Sequence, residues 1–73
     1  MQPSDKLVMM ANQIARNLLV RGEQQAISAA ASHIKMFWNK RMHDAVVAEA
    51  QEDSSRFHPV ALKAIQEVAR ATG

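Results

Sequence analysis

Apolar residues in this chain recur every three or four positions in four segments, and helix-ending signals separate the segments. The signals are Gly22, Asn39 and a polar stretch over residues 51–56. Such spacing places the apolar side chains on one side of an α-helix, whereas a half-buried strand would need alternation every second residue. The sequence therefore predicts an all-α fold, a small compact bundle of about four short helices, forming one domain over residues 1–73.

The chain has only 73 residues and no cysteine, and both facts limit how it can be stabilised. A chain of this size buries about 60% of the surface that its unfolded form exposes, so its core is thin. Disulfides, iron–sulfur ligation and thiol chemistry all need cysteine. We therefore expect a partner protein to contribute stability, and we expect this chain to hold no cofactor or metal itself.

The first helix should begin after Ser4, which can act as its N-cap, and should end before Gly22. Its apolar stripe is wide and covers about half the circumference. The residues of the stripe are Leu7, Val8, Met10, Ala11, Ile14, Ala15, Leu18 and Leu19. Met9 and Val20, like Met36 on the second helix, project from otherwise polar faces, which indicates contact with another protein.

The remaining helices are predicted over residues 24–37, over residues 40–52 with Asn39 as N-cap, and from Pro59 onward. His58 would cap the last helix, and Phe57 would pack on Leu62. The inward stripes of the second and fourth helices are Ile27, Ala30, Ala31 and Ile34, and Leu62, Ile65, Val68 and Ala69. The third helix is ambiguous, because one choice of inward face includes Glu49 and the other includes His43.

Candidate catalytic and metal-binding groups are sparse. His33, His43 and His58 include no pair four residues apart on one helix, so they do not form a metal motif. Two glycines are too few for a phosphate-binding loop. The longest apolar run covers residues 7–11, far short of the roughly 20 residues of a membrane span. With no export signal, we expect a cytoplasmic, non-enzymatic protein that does not enter a membrane.

The most distinctive segment is His-Ile-Lys-Met-Phe-Trp-Asn-Lys-Arg-Met over residues 33–42. Its aromatic residues Phe37 and Trp38 lie at a helix break, where each ring either completes the small core or anchors a partner. A different reading combines Trp38 with Lys35, Lys40 and Arg41 as a stacking site for single-stranded nucleic acid. A net charge of +2 gives that hypothesis little support. A small nucleic-acid-binding or regulatory module is therefore kept only as the alternative function.

This segment, together with Lys-Leu-Val-Met-Met-Ala-Asn-Gln-Ile over residues 6–14, resembles the delta subunit of soluble, NAD-dependent, molybdenum-containing formate dehydrogenases. That family reads close to Lys-Leu-Val-x-Met-Ala-Asn-Gln-Ile and His-(Leu/Ile)-x-x-Phe-Trp-Asp-Pro-Arg-Met. The order, the spacing of the blocks and the chain length agree. This sequence departs from the family at Asn39 and Lys40, where Asp-Pro is expected, and at His58, where Asp is expected.

The resemblance implies an accessory, non-catalytic subunit of a cytoplasmic complex that oxidises formate and reduces NAD. It places molybdopterin, iron–sulfur clusters and FMN on larger subunits, and it makes the molybdenum-containing alpha subunit the expected partner. Self-association of the isolated chain is an alternative use of its apolar surface. The predicted partner-binding residues are Asn12, Gln13, His33, Phe37, Trp38, Arg41 and Met42.

Overall fold

The computed structural model describes residues 3–72, which form four α-helices. These are α1 (Pro3–Leu18), α2 (Glu23–Phe37), α3 (Lys40–Glu52) and α4 (Pro59–Thr72). The described residues contain no strand. Their radius of gyration is 10.9 Å, close to the roughly 11 Å expected of a globular chain of this length. The predicted all-α bundle of four short helices is confirmed.

Two helix starts differ from the sequence prediction. Helix α1 begins at Pro3, so Ser4 lies inside the first turn and the prediction that Ser4 caps the helix is wrong. Proline suits the first helical position because its fixed φ is helical and its missing N–H would be unpaired there in any case. Helix α2 begins at Glu23, one residue earlier than predicted, and places that carboxylate in its first turn.

Gly22 ends the first helical segment, as predicted. The last turn before it is a 3-10 turn over Leu19–Arg21, and the Gly22 N–H donates to the carbonyl of Leu19 at 3.0 Å. Gly22 adopts a φ of 96° and a ψ of 154°, a conformation that is essentially restricted to glycine. The chain reverses there, which allows α2 to pack against α1.

Helix α3 ends at Glu52, as predicted, and the polar segment that follows it contains a 3-10 turn over Ser54–Arg56. Helix α4 then begins at Pro59, and Nδ1 of His58 accepts a hydrogen bond from the backbone N–H of Val60 at 3.1 Å. The predicted start and cap of α4 are confirmed.

The core lies between all four helices, with α2 against α4 as the most extensive helix pair. Seven of the sixteen buried hydrophobic residues are alanines, which lets the helix backbones approach closely. The buried residues are Val8, Ala11, Ala15, Ala26, Ile27, Ala30, Ala31, Ile34, Trp38, Val46, Phe57, Val60, Ala61, Ala64, Ile65 and Val68. The predicted stripe of α2 is buried throughout, whereas Met10 and Leu19 from the wide stripe of α1 remain partly exposed.

Helix α3 contributes one fully buried residue, Val46, and resolves the ambiguity of its inward face. His43 and Glu49 flank that residue, and both are half-buried. Nε2 of His43 lies 2.9 Å from the carbonyl oxygen of Ile34, and the Glu49 carboxylate pairs with Arg56 at 2.8 Å. Both polar groups therefore border the core, and each has a hydrogen-bond or ion-pair partner.

Candidate partner-binding surface

The distinctive segment over residues 33–42 forms the corner between α2 and α3. Helix α2 ends at Phe37, and Trp38 is extended with a φ of −95° and a ψ of 137°. The side-chain oxygen of Asn39 then accepts a hydrogen bond from the N–H of Met42 at 2.9 Å. This satisfies one of the unpaired N–H groups at the start of α3 and confirms Asn39 as the N-cap.

The two aromatic rings at this corner have opposite environments. Trp38 is 6% exposed and belongs to the core, whereas Phe37 is 69% exposed. The change from helical to extended backbone at Trp38 turns the two consecutive side chains in different directions. The question that the sequence left open is thereby answered: Trp38 completes the core, and Phe37 faces solvent.

The exposed Phe37 ring packs beside the His33 ring one turn earlier on α2. The ring centroids lie 4.8 Å apart with an interplanar angle of 40°. His33 in turn lines a shallow, solvent-open depression between α1 and α2. We call this depression, with Phe37 packed on His33, the α1–α2 groove. Its lining residues are Met10, Gln13, Ile14, Asn17 and His33.

Exposed large hydrophobic residues are concentrated in the first half of the chain. Among the described side chains they are Met9, Met10, Leu19, Val20, Met36 and Phe37, all within α1, α2 and the turn between them. Met9, Val20 and Met36 are 68%, 87% and 75% exposed, which confirms the prediction that they project from polar faces. Helices α3 and α4 carry no large hydrophobic side chain of this kind in the part of the chain described.

The other two predicted residues of this segment, Arg41 and Met42, lie in the first turn of α3. Arg41 is exposed, and no described carboxylate lies within ion-pair distance of it. Met42 is half-buried and packs against the core. The adjacent Lys40 is already paired with Asp44 at 3.1 Å. Arg41 therefore offers a free positive charge to solvent, whereas Met42 offers only part of its side chain.

Asn12 has an intramolecular role that the sequence did not reveal. Its amide nitrogen donates to the carbonyl of Arg56 at 3.0 Å, and its amide oxygen accepts from the N–H of His58 at 2.8 Å. The side chain therefore ties α1 to the segment that precedes α4. The neighbouring Gln13 is exposed and lines the α1–α2 groove instead.

Arg56 is a second connecting residue that sequence reasoning missed. Its guanidinium pairs with the carboxylates of Asp5 on α1 and Glu49 on α3. The hydrogen bond to Asp5, together with the negative charge of both carboxylates, raises the pKa of Arg56 above its ordinary value. One side chain thus links the short turn before α4 to two helices.

The histidines lie apart from one another. His33 lines the groove, His43 meets the end of α2, and His58 caps α4. Over residues 3–72, no three His, Asp or Glu side chains converge as a metal site would require. No helix in that range has the length and apolar character needed to cross a bilayer.

Comparison with known families decides the relationship that the two sequence blocks indicated. The family model described as the NADH-dependent formate dehydrogenase delta subunit, FdsD, matches residues 6–65. The chain belongs to this family. No curated protein and no solved structure matches it. The delta-subunit match includes both blocks, the α2–α3 corner and the start of α4.

The departures from the delta-subunit pattern keep their structural function. Asn39 caps α3 where the family pattern has Asp, and the side chain of His58 caps α4 where the family has Asp. Lys40 occupies the first position of α3, where proline is also favourable. Both capping interactions therefore survive without a carboxylate.

All seven predicted partner-binding residues lie within the region matched by the delta-subunit family, and their role in binding stays a prediction. The structure brings Gln13, His33 and Phe37 together at the α1–α2 groove. It separates the other four. Arg41 is exposed, Asn12 and Met42 are half-buried, and Trp38 is buried.

Proposed function

We propose that this chain is a non-catalytic accessory subunit of a cytoplasmic, NAD-dependent formate dehydrogenase. It docks on the larger subunits, with the molybdenum-containing alpha subunit as the principal contact. By docking it supports assembly, stability or cofactor loading of that subunit. Membership of the delta-subunit family supports the identity of the complex.

The observation that carries the docking role is the placement of six large hydrophobic residues on the surface of α1, α2 and the turn between them. A chain of 73 residues has few large side chains with which to fill a core. Here several of them, including Phe37, lie in solvent while alanines fill much of the interior. Exposed large apolar side chains concentrated on one part of a chain are typical of protein interfaces.

The residue types present support placing the redox chemistry on other subunits. The chain has no cysteine, and the buried side chains that the structure describes are all apolar. We therefore assign molybdopterin, the iron–sulfur clusters, FMN and the NAD site to the larger subunits. This chain would act on them only through protein contacts.

The test compares cells that contain the chain with cells that lack it. We expect formate-dependent NAD reduction to fall in extracts without the chain and to return when it is supplied on a plasmid. Subunit stoichiometry in the purified complex reports assembly, and molybdenum content per alpha subunit reports cofactor loading. A tagged copy of the chain should copurify with the larger subunits.

Two results would reject the accessory role. One is an unchanged activity, stoichiometry and molybdenum content in cells without the chain. The other is a tagged, folded chain that never copurifies with a formate dehydrogenase subunit. The alternative of nucleic-acid binding has little support, because its main stacking residue, Trp38, is buried in the core.

A further inference from the structure

The charges of this chain are separated along the sequence. Residues 3–43 carry six cations and two carboxylates, a formal net charge of +4, whereas residues 44–72 carry five carboxylates and three cations, a formal net charge of −2. The overall charge of +2 therefore conceals two halves of opposite sign. Helices α1 and α2 lie wholly in the cationic half.

The cations of the first half are mostly unpaired. Of the side chains that the structure describes, five exposed cations have no carboxylate within ion-pair distance. They are Lys6, Arg16, Arg21, Lys35 and Arg41. The cations of the second half, Arg56, Lys63 and Arg70, are all paired. Free positive charge is thus confined to the half that also exposes the apolar residues.

Exposed apolar and cationic residues occur together along α1 and the 3-10 turn that follows it. Lys6 precedes Met10 by four residues on α1, so these two side chains share a face of the helix. Arg16 lies further along α1, and Val20 lies in the turn. Gln13 lies between Met10 and Arg16 and lines the groove together with Met10. Along this part of the chain, Met10 thus lies between the cations Lys6 and Arg16, and Val20 lies between Arg16 and Arg21.

We propose that the α1–α2 groove and the outer side of α1 bind an apolar segment flanked by carboxylates on a larger formate dehydrogenase subunit. This inference rests on the proposed function, since membership of a subunit family supplies the need for a partner. The apolar side chains of the partner enter the groove at Met10 and Phe37. Its carboxylates meet the unpaired cations, because complementary charge steers and orients association.

A second copy of this chain is a poorer occupant of the same surface. A symmetric dimer brings the same patch of both copies together. Each copy would then bring the unpaired cations Lys6 and Arg16 to the interface. Like charges brought together at an interface oppose binding. An acidic partner surface has no such conflict.

Two substitutions at one position test both parts of the proposal. Met10→Glu and Met10→Lys both remove the apolar side chain from an exposed site, but they add opposite charges. We expect Met10→Glu to weaken copurification with the larger subunits by about tenfold or more, as loss of an interface hot spot does. Met10→Lys should retain more binding, because its cation suits an acidic partner.

Gln66→Glu is the matched control. It adds the same single negative charge as Met10→Glu, but at an exposed position of α4 that lies outside the proposed surface. It should bind as the unmodified chain does. Circular dichroism of each purified full-length variant checks folding. If a Met10 variant fails to fold, Phe37→Glu and Phe37→Lys replace the pair.

Each other outcome overturns a defined part. Binding of Met10→Glu at the unmodified level rejects this surface and leaves the accessory role intact. Equal losses for Glu and Lys reject the acidic character of the partner. If the isolated chain forms a dimer that Met10→Glu disrupts, the occupant of this surface is a second copy of the chain. If the chain binds an oligonucleotide with a steep salt dependence, the occupant is a nucleic acid. Failure of the unmodified chain to copurify rejects the proposed function itself.

Discussion

The side-chain oxygen of Asn12 accepts a hydrogen bond at 2.8 Å from the backbone N–H of His58, 46 residues further along the chain. The same amide group donates to the carbonyl of Arg56. One side chain on α1 therefore satisfies a backbone donor and a backbone acceptor in the segment that leads into α4. Loops seldom have enough regular partners of their own, so such bonds fix their position.

Asn12→Ala should destabilise the fold by about 1–3 kcal/mol, because a half-buried donor and acceptor both lose their partner. The adjacent Gln13→Ala is the control and should change the free energy of unfolding by less than about 0.5 kcal/mol, since that side chain is exposed. Urea unfolding of the full-length chain measures both. Equal effects of the two substitutions would contradict the bridging role of Asn12.

Trp38 and Phe37 should respond in opposite ways to truncation. Trp38→Ala removes a buried ring from a thin core and should cost about 3–5 kcal/mol, enough to unfold much of a small domain. Phe37→Ala should alter stability by less than about 0.5 kcal/mol, because the ring is mostly in solvent. Thermal unfolding monitored by circular dichroism compares them.

Trp38→Phe tests the same position more mildly, because it keeps an aromatic ring in the core. Its stability should lie between that of the unmodified chain and that of Trp38→Ala. A stable, fully folded Trp38→Ala variant would show that the ring is not part of the core. A Phe37→Ala variant that unfolds would be equally damaging to the assignment.

At the N-cap of α3, aspartate, the residue of the family pattern, should preserve stability, whereas alanine should reduce it. Asn39→Ala removes the acceptor for the Met42 N–H and should cost about 1 kcal/mol, whereas Asn39→Asp should be close to neutral. Adding Lys40→Pro to Asn39→Asp restores the family pair. Asn39 has an extended backbone, with a φ of −77° and a ψ of 172°, and a following proline favours extended over helical backbone at the preceding residue.

Chemical denaturation of the three variants checks this prediction. We expect the Asp-Pro variant to unfold at nearly the same denaturant concentration as the unmodified chain. A large loss of stability in that variant would mean that the corner depends on Asn39 or Lys40 in a way that capping does not explain.

Arg56→Gln should lower the midpoint of thermal unfolding, because Asp5 and Glu49 lose their shared cation. Lys40→Gln is the control and should have little effect, since the pair of Lys40 with Asp44 is exposed. Added salt should narrow the difference between Arg56→Gln and the unmodified chain.

The pH dependence follows from the raised pKa of Arg56. A group whose pKa is higher in the folded state than in the unfolded state stabilises the fold fully at a pH below its unfolded-state pKa. This stabilisation is lost only as the pH rises through the folded-state pKa. Arginine titrates far above neutrality, so its contribution should be constant from about pH 6 to pH 9. A midpoint difference that vanishes within that interval would contradict the assignment.

Much of the secondary structure could be predicted from the sequence because its signals are local. Gly22, Asn39 and Pro59 each act on their own backbone and on the next turn, and each lies at the predicted helix boundary. The start of α1 was misplaced, since both Pro3 and Ser4 are residues that favour a helix start. The family blocks were also legible in the sequence, and the family match includes them.

The candidate site was only partly predictable. Phe37 and Trp38 are adjacent, apolar and aromatic, so nothing in their residue types separates a core ring from an exposed one. Met10 repeats at the same helical spacing as buried residues of α1, yet it remains partly exposed. Its environment depends on how far α2 covers that side of α1, which local spacing does not specify.

The sequence by itself determined that this chain is helical, where most of its helices end and to which family it belongs, because these depend on neighbouring residues and on short blocks. Only the tertiary structure decided that Trp38 is core and Phe37 is exposed, that Asn12 holds the segment before α4, and which apolar side chains of α1 and α2 remain in solvent. Each of these outcomes depends on which helices pack together, and so on contacts between residues far apart in the chain.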